Sequence, residues 1–461
     1  MARTSRITTG TDRPRPASGR RPAGLARSSD VADAGLALAG QPGIAWAERA
    51  MPVLGMLRQS FEGQQSFAGE QPFAGLTVAC CLHVTAETAV LIRTLTAGGA
   101  TVHLAASNPL STQDDIAAAL AVEPGVTVQA RSGVARGVYY EHIHRVLDSE
   151  PDLVMDDGGD LVNTLHEARP ELVAGVRGGC EATSTGAARL RRMAAAGSLG
   201  FPMIAAELSA ITRMIDHKYG TGQSVLDGIL RATNTLVAGK TVVVAGFGPC
   251  GSGIAERARG LGAQVLVTEV DPVRALGAIM QGFRVMPMSA AAQLGEIVIT
   301  ATGSREVIGA AEIAALSDGA MLANAGHFDV EIDMAALTAA AVAVHPAVRP
   351  HADEYVLADG RRLILLAEGR VVNLVAGEGN PAAVMDTSFA VQALALAWLA
   401  GATPGEVRGD GRPGAAAGPV LSVPASIDAQ VAGLTLASLG TRIDELTDAQ
   451  LRYLQSWRQG S

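Results

Sequence analysis

Three glycines near the middle of the chain have the spacing that a dinucleotide phosphate requires. Gly246, Gly248 and Gly251 form G-x-G-x-x-G between an apolar strand pattern and a helical pattern, and Glu269 closes the next strand. Glycines allow a tight turn and a close approach of a pyrophosphate to backbone N–H groups, while such a carboxylate accepts from a ribose 2′-hydroxyl. The pattern predicts NAD binding. Arg274 keeps NADP open as an alternative, because a guanidinium could face a 2′-phosphate.

Histidines and carboxylates elsewhere in the chain are suited to proton transfer. His83 ends an apolar strand pattern, Asp157 lies in the carboxylate-rich stretch MDDGGD, and Asp216 lies in a helical pattern. Imidazole and carboxylate groups are the usual general acids and bases of enzymes. Each residue also has a structural interpretation: a core histidine, a plain turn, and a helix residue that caps or pairs with Arg213. Residue type alone leaves both interpretations open.

The elements that must position these groups follow an alternating strand and helix pattern. Residues 44–61 are predicted to form one amphipathic helix, and after it short apolar runs alternate with longer helical patterns, which is typical of α/β proteins. The strand patterns lie at residues 76–83, 101–107, 152–160, 241–246, 264–270, 296–303 and 320–329. The fold class is therefore α/β with two domains, a Rossmann-type NAD-binding domain and a doubly wound α/β substrate domain.

Composition and motif positions predict the domain boundaries. Residues 1–30 are predicted to be a disordered Arg/Pro-rich tail, and residues 401–461 a linker with a helical tail. The substrate-binding domain is predicted to take residues 31–214 and 375–400, and the Rossmann domain residues 217–372. We expect the site in the cleft between the two domains, where hinge closure would exclude water.

Composition excludes several classes of protein. The chain has 461 residues, 48% of them hydrophobic, and a net charge of −9. An acidic body is a poor ligand for nucleic acid, and no run of about 18 apolar residues predicts a membrane span. The four cysteines show no metal-ligand spacing, and the Arg-rich start lacks the apolar stretch of a secretory signal. The sequence predicts a soluble cytoplasmic protein with reduced cysteines and no metal.

Many further segments resemble one family, S-adenosyl-L-homocysteine hydrolase. The resemblance runs from about residue 31 to 400 and more weakly to 454. Its most specific segments are CLHVTAETAVLIRTL (81–95), SNPLSTQDDIAAAL (107–120), MDDGGDLVNTLH (155–166), TSTGAARL (183–190), DGILRAT (227–233), GLGAQVLVTEVDP (260–272), NAGHFDVEID (324–333) and LAEGRVVNL (366–374). The resemblance implies oxidation of a ribose 3′-hydroxyl by bound NAD, loss of the C4′ proton, elimination of a 5′-thiol, addition of water and reduction of the ketone.

The resemblance also implies roles for individual residues. The acid–base groups at C4′ and C5′ would be His83, Asp157 and His327, with Asp216 at the 3′-oxygen. The residues that read the adenine base would be Thr85, Glu87 and Gln113. The cofactor contacts, together with the glycine turn, would be Thr183, Ser184, Thr185, Pro249, Cys250, Glu269, Arg274, Thr302, Ala325, Gly326 and Asn373.

Five positions around the sugar depart from the family pattern. Thr212 stands where the family has a lysine one helical turn before Asp216, so a positive charge beside the 3′-oxygen is missing. Ala182 replaces a glutamate that holds the 2′-hydroxyl, Glu207 and His217 replace asparagines, and Asn380 replaces a histidine. Glu207 and His217 are expected to form a new acid–base pair. The changes favour a sugar different from that of S-adenosylhomocysteine, with Ala182, Thr212 and Asn380 as substrate-binding positions.

The C-terminus also departs from the family, whose lysine- and tyrosine-containing tail reaches a neighbouring subunit's NAD site. This chain ends LTDAQLRYLQSWRQGS, so we expect the clamp to be absent and the cofactor to exchange between turnovers. A homo-oligomer, either a dimer or a tetramer, is predicted.

Three functions remain open from the sequence. The first is an NAD-dependent hydrolase-like oxidoreductase or lyase that acts on another adenine nucleoside in specialised metabolism, such as nucleoside antibiotic biosynthesis. The second is a genuine S-adenosylhomocysteine hydrolase with an unusual site. The third is a catalytically silent partner protein that binds NAD and a nucleoside. Reduction of bound NAD by a nucleoside separates the third from the other two.

Overall fold

The computed structural model describes residues 29–63, 71–401 and 420–457. Most of the predicted N-terminal tail and linker therefore lie outside the described residues. The strands are β1 Asp30–Val31, β2 Thr77–Leu82, β3 Thr101–Ala106, β4 Val126–Ala130, β5 Leu153–Asp156, β6 Gly178–Glu181, β7 Met203–Ala205, β8 Thr241–Ala245, β9 Gln264–Thr268, β10 Arg284–Val285, β11 Ile297–Thr300, β12 Met321–Asn324, β13 Ala341–Arg349, β14 Ala352–Leu357, β15 Arg362–Leu366 and β16 Val420–Ser422.

Helices follow most strands, as parallel crossovers require. They are α1 Ala37–Arg49, α2 Pro52–Phe61, α3 Ala86–Ala97, α4 Asp114–Ala121, α5 Arg136–Leu147, α6 Asp160–Ala168, α7 Ser184–Ala195, α8 Gly222–Thr233, α9 Pro249–Gly260, α10 Pro272–Met280, α11 Met288–Ala291, α12 Ala310–Ala315, α13 Met334–Ala340, α14 Val372–Val375, α15 Ala382–Gly401, α16 Ala425–Ser438 and α17 Asp448–Gln455. A π-helix, Thr212–Thr221, runs into α8, and short 3₁₀ segments lie at Ala34–Leu36, Pro109–Ser111, Pro170–Gly175, Ala206–Leu208 and Ala367–Gly369.

The strands form two sheets, which confirms the α/β class. The first has the order β1-β4-β3-β2-β5-β6-β7-β16 and is parallel throughout. Strand β2 is buried from its second residue to its last, because helices cover both faces of a parallel sheet. The strand order reverses between β2 and β5, and in open α/β sheets a ligand binds at the carboxyl ends of such neighbours.

The second sheet has the order β10-β9-β8-β11-β12-β15-β14-β13. Its first six strands are parallel, whereas β14 and β13 pair antiparallel at one edge. The order reverses between β8 and β11, and the glycine turn follows β8 directly. This sheet therefore also has a ligand-binding crevice at the carboxyl ends of two neighbouring strands.

Two segments differ from the sequence prediction. The single helix expected over residues 44–61 is two helices, α1 and α2, because Pro52 begins a new helix after a non-helical Met51. The C-terminal segment is not only helical, since β16 pairs with β7 at the edge of the first sheet and α16 packs on α15 and α2. The first sheet therefore includes residues from beyond the linker.

Helix α15 lies in the core of the first domain. It is long and apolar enough to cross a bilayer, but 61% of that apolar window is buried inside the protein, as in a core helix. Phe389, Leu396 and Leu399 pack into the same hydrophobic cluster as the first sheet and α3. The polar residues Asp386, Ser388 and Gln392 of this helix are also buried, and Ser388 contacts Asp216 in the site described below.

Candidate active site

One large cavity, of about 1350 Å³, lies at the carboxyl ends of both sheets. Loops after β2 and β5 border it from the first domain, and loops after β8, β9, β11 and β12 border it from the second. The π-helix and the segment around residues 373–380 close a further side. Residues that parallel topology places at two switch points thus meet in a single space, as expected for the cleft between the domains.

Three of the predicted acid–base residues form a cluster in this cavity. The Asp157 carboxylate lies between two imidazoles, with Oδ2 at 3.8 Å from His83 Nε2 and Oδ1 at 3.4 Å from His327 Nδ1. The Nδ1 atom of His83 is hydrogen-bonded to Ser111 Oγ at 2.6 Å, which orients the ring. Gly158 is required next to Asp157, since its φ is +106° and a Cβ there would lie 2.4 Å from His327. We refer to His83, Asp157 and His327 as the acid–base cluster.

Burial affects the charge of one member of the acid–base cluster, His83. It lowers the pKa of His83, although the neighbouring Asp157 carboxylate opposes that shift by favouring the imidazolium. A neutral imidazole beside an aspartate can accept a proton. The cluster can therefore act as a base toward a carbon acid in the cavity.

Two buried carboxyl groups hold the loop that carries Asp157. Asp156 accepts from the backbone N–H groups of Asp157 and Val162, and burial raises its pKa to about 7. Glu181 accepts from the N–H of Gly158 and from the N–H and hydroxyl of Thr183, and burial raises its pKa well above its usual value. These bonds fix the loop directly behind the acid–base cluster.

Replacing Asp156 with asparagine is expected to change how stability depends on pH. The pKa of Asp156 is about 7 in the fold against 3.8 ordinarily, so between those values the native state holds a proton that the unfolded chain releases. Stability therefore falls as pH rises through this window in the wild type, whereas asparagine has no such dependence. Relative to wild type, the variant should gain about 2–3 kcal/mol in its free energy of unfolding between pH 5 and 8.

Denaturant unfolding at both pH values measures this difference. The lowered pKa of His83 acts in the opposite direction, but it is common to both proteins and cancels. The pKa of Glu181 is raised in part by the Asp156 charge, so removal of that charge adds to the gain of the variant at high pH. Asp359→Asn is the matched control, because that exposed carboxylate pairs with Arg361 and has a lowered pKa. An Asp156→Asn difference that stays constant with pH would contradict the proposed protonation.

Asp216 is held by two side chains from other elements. Its Oδ1 accepts from Asn380 Nδ2 at 2.6 Å, and its Oδ2 accepts from Ser388 Oγ on α15 at 2.7 Å. In the described structure Asp216 forms no ion pair with Arg213, although the sequence left such a structural pairing open. The carboxylate is therefore oriented by neutral donors and lines the cavity.

No lysine in the described part of the chain lines the cavity. Lys218 pairs with Glu256 and Lys240 with Glu296, both away from the site. Thr212 does not line the cavity either. Its side chain is buried, and its hydroxyl has no hydrogen-bond partner in the described structure. The positively charged residue nearest to Thr212 in sequence is Arg213, an exposed residue that does line the cavity.

The expected Glu207–His217 pair is not found in the described structure. Both residues line the cavity, but the Glu207 carboxylate forms an ion pair with Arg191 at 2.7 Å. Glu207 is buried, so a charged partner compensates the loss of water around it. Arg191, on α7, also lines the cavity and has no signal in the sequence that would identify it.

Two of the three residues predicted to read a base, Thr85 and Glu87, follow His83 closely in the chain. Thr85 caps the N-terminus of α3, and Glu87 follows in the first turn, where burial raises its pKa. Both line the cavity, as do Ala182 and Asn380. Gln113 does not line it; its backbone N–H donates to Val84 O, one residue before Thr85.

The glycine turn leaves a cradle for a phosphate at the start of α9. Gly246 has φ +95°, and a Cβ on Gly251 would lie 1.9 Å from the Gly246 carbonyl oxygen, so both positions require glycine. Gly248 precedes α9, whose first N–H groups have no side-chain cap. Unsatisfied N–H groups at a helix N-terminus favour an anion. The turn therefore fits a dinucleotide pyrophosphate.

The other cofactor residues surround this cradle. Glu269 accepts from the N–H of Phe247 within the turn and from those of Val270 and Asp271, so its carboxylate is fixed at the end of β9. A fixed carboxylate there suits ribose hydroxyls and repels a 2′-phosphate. The other predicted cofactor positions that line the cavity are Thr183, Ser184, Thr185, Gly248, Pro249, Cys250, Arg274, Thr302, Ala325, Gly326 and Asn373.

Buried polar residues missed in the sequence hold the far loops of the cofactor site. Glu331 accepts from the backbone and hydroxyl of Thr302, and Asn324 accepts from Gly326 N–H. Cys250 lines the cavity, but burial raises its pKa to about 12, so it is no nucleophile. Thr302 and Glu331 are 29 residues apart in the chain, which is why sequence spacing gave no signal for Glu331.

Comparisons with known proteins agree with this arrangement. Residues 28–173 match the family model "S-adenosyl-L-homocysteine hydrolase", and residues 217–379 match "S-adenosyl-L-homocysteine hydrolase, NAD binding domain". The chain is 50% identical to the adenosylhomocysteinase of Aquifex aeolicus over 94% of this chain and 99% of that protein. It is 49% identical to the S-inosyl-L-homocysteine hydrolase of Methanopyrus kandleri over 94% of this chain and 98% of that protein. The chain therefore belongs to the S-adenosyl-L-homocysteine hydrolase family and is an NAD-dependent enzyme.

Proposed function

We propose that this enzyme oxidises the 3′-hydroxyl of an adenine nucleoside and then carries out acid–base chemistry at C4′ and C5′. The observation that carries the proposal is the placement of the acid–base cluster, Asp216 and the glycine turn around one cavity. A sugar bound there would have a carboxylate on one side and two imidazoles on another. NAD, held at the glycine turn, supplies the oxidant for the 3′-carbon.

Asp216 is assigned the proton of the 3′-hydroxyl. Its two oxygens already accept from Asn380 and Ser388, so it is oriented and retains lone pairs toward the cavity. A carboxylate in this state accepts a third hydrogen bond from the hydroxyl and takes its proton as the carbon is oxidised. The charge of the developing alkoxide then needs a cationic partner.

Arg213 is assigned that electrostatic role. The residue follows Thr212 in the π-helix, lines the cavity and has no ion-pair partner among the described residues. Its guanidinium stays charged at any working pH. A cation displaced by one residue from the family's lysine position suits a sugar whose 3′-oxygen lies in a different place.

The acid–base cluster is assigned the C4′ and C5′ steps. The 3′-ketone acidifies the C4′ proton, and the neutral imidazole of His83, backed by Asp157, accepts it. His327, whose Nδ1 lies 3.4 Å from the other oxygen of Asp157, is assigned the protonation of the group that leaves from C5′. Burial of the cluster keeps bulk water away from the reactive ketone.

S-adenosylhomocysteine itself is the second candidate substrate. Its support is the close similarity to proteins named adenosylhomocysteinase across 94% of the chain. Against it, Ala182 lacks the carboxylate that the family uses on the 2′-hydroxyl, and Thr212 lacks the ammonium. The two candidates share the oxidation step and differ in the sugar.

A panel of adenine nucleosides mixed with the NAD-loaded enzyme tests the proposal. Absorbance at 340 nm should rise with at least one nucleoside, and product analysis should show slower turnover of S-adenosylhomocysteine than of a nucleoside with an altered sugar. No reduction with any nucleoside would reject the proposed oxidation and favour a binding partner protein. The same preparations report whether NAD exchanges, and gel filtration tests the predicted dimer or tetramer.

Replacing Arg213 with alanine is expected to lower the rate of nucleoside-dependent NAD reduction about 100-fold, because one preorganised donor to an oxyanion is typically worth that much. NAD affinity should stay unchanged. Stopped-flow absorbance at 340 nm measures the rate. Lys218→Ala is the matched control, since it removes a cation from the same helix that pairs with Glu256 outside the cavity. Equal rates in Arg213→Ala and wild type would exclude the assigned role.

A further inference from the structure

The polar groups behind Asp216 form a continuous chain toward the cofactor site. Asn380 Nδ2 donates to Asp216 Oδ1 at 2.6 Å, and Asn380 Oδ1 accepts from Ser224 Oγ at 2.7 Å. Ser224 Oγ in turn accepts from Asn373 Nδ2 at 3.0 Å. The members come from the π-helix, the loop after Gly379, α8 and α14, so no sequence spacing indicates the chain.

Every hydrogen bond in this chain points the same way. A serine hydroxyl has one proton, and Ser224 gives it to Asn380, so it can only accept from Asn373. The orientation of the Asn380 amide is set in turn by Asp216, because an ionised carboxylate accepts and cannot donate. The charge at Asp216 therefore determines which atom of Asn373 is turned toward Ser224.

The far end of the chain is an unsatisfied acceptor in the cavity. Asn373 is 6% exposed and lines the cavity, and its Oδ1 is buried with no hydrogen-bond partner among the described residues. A buried acceptor without a donor is costly, so the site is prepared for a ligand group that donates. The NH₂ of a nicotinamide carboxamide is such a donor.

We propose that Asp216, through Asn380 and Ser224, fixes Asn373 with its carbonyl oxygen toward the carboxamide of the cofactor. Asn380 and Ser224 are thus positioning residues that connect the group at the sugar with the group that reads the nicotinamide. The inference rests on the proposed function, because it takes Asp216 to act on the sugar and Asn373 to contact the carboxamide. It goes beyond that function in coupling the two sites.

Equilibrium binding of two dinucleotides to cofactor-free full-length protein tests the chain. The probes are NAD and 3-acetylpyridine adenine dinucleotide, which keeps the carbonyl group but has a methyl in place of the NH₂ donor. Calorimetry should show wild type preferring NAD by about tenfold or more, the effect of leaving a buried acceptor unpaired. Ser224→Ala frees Asn373 to turn either atom outward, so the preference should fall below about threefold.

Substitutions at residue 380 separate direction from mere packing. Asn380→Ala frees the Ser224 proton to point back at Asn373, so the preference should again collapse. Asn380→Asp still accepts from Ser224 and should keep the wild-type preference, while its second oxygen repels Asp216 and slows NAD reduction. A general packing defect would instead affect the two substitutions alike.

Ser388→Ala is the control on the other oxygen of Asp216. It removes one donor to the carboxylate but lies off the chain to Asn373, so NAD reduction should slow and the binding preference should stay. If Ser224→Ala and Asn380→Ala, both folded by circular dichroism, retain the wild-type preference, the chain is overturned. The binding ratios need no substrate, so their failure is distinct from an absence of nucleoside oxidation, which would overturn the proposed function.

Discussion

Substitution of Gly251 by alanine is expected to reduce NAD affinity by at least 100-fold. An added Cβ would lie 1.9 Å from the carbonyl oxygen of Gly246, a backbone atom that can move only if the turn itself moves. The turn would then lose the geometry that brings backbone N–H groups to the pyrophosphate. Calorimetric titration of cofactor-free protein with NAD measures the effect.

Two further glycines separate this effect from loss of folding. Gly260 lies in the same helix α9 with nothing within 4 Å of an added Cβ, so Gly260→Ala should bind NAD as wild type does. Gly248 has an ordinary φ of −71°, and its Cβ would approach only Arg274, at 3.7 Å. Gly248→Ala should therefore fold normally and still bind NAD about tenfold more weakly, since the methyl group occupies the cradle. Unchanged affinity in Gly248→Ala would mean that the phosphate lies elsewhere.

Asp157→Asn is the second substitution with a large expected effect. Its carboxylate lies between His83 and His327 and backs the proton transfers proposed for C4′ and C5′. Loss of a general acid–base system lowers rates by about 10²–10⁴-fold. The variant should still reduce bound NAD with a nucleoside, because that step is assigned to Asp216, but should lose exchange of the C4′ proton with solvent.

Proton NMR in D₂O follows the C4′ signal while absorbance at 340 nm follows NAD. Asp148→Asn is the control, since that carboxylate pairs with Arg169 at the surface and should change neither signal. Normal C4′ exchange in Asp157→Asn would remove the acid–base cluster from the mechanism. Absence of both C4′ exchange and NAD reduction would instead indicate that Asp157 is needed for substrate binding.

Most of the fold followed from local patterns in the sequence. Apolar runs bounded by helical patterns located β2, β3, β8 and β9 to within two residues. Strands of a parallel sheet are buried on both faces, so their sequences are almost continuously apolar. The break at Pro52 was missed, since the hydrophobic periodicity continues through it. Strand β16 was missed for a different reason: three residues beyond a Gly/Pro-rich stretch carry no strand signal until they pair with β7.

The site was predictable only where the fold itself brings residues together. His83 and Asp157 follow neighbouring strands, so topology alone makes them meet. The partners of Asp216 are 164 and 172 residues away in the chain, and no local rule connects them. The Arg191–Glu207 ion pair likewise depends on how α7 packs. The sequence therefore predicted an acid–base pair of Glu207 with His217 instead.

The path of the chain through the first sheet has a consequence for synthesis. Helix α15 and strand β16 belong to the first domain but are translated only after the whole second sheet. The NAD-binding domain can thus fold on the ribosome while the domain that precedes it still lacks its central helix and one edge. The apolar surface awaiting α15 stays uncovered during that interval, and a chaperone that shields it would act on the N-terminal part of the nascent chain.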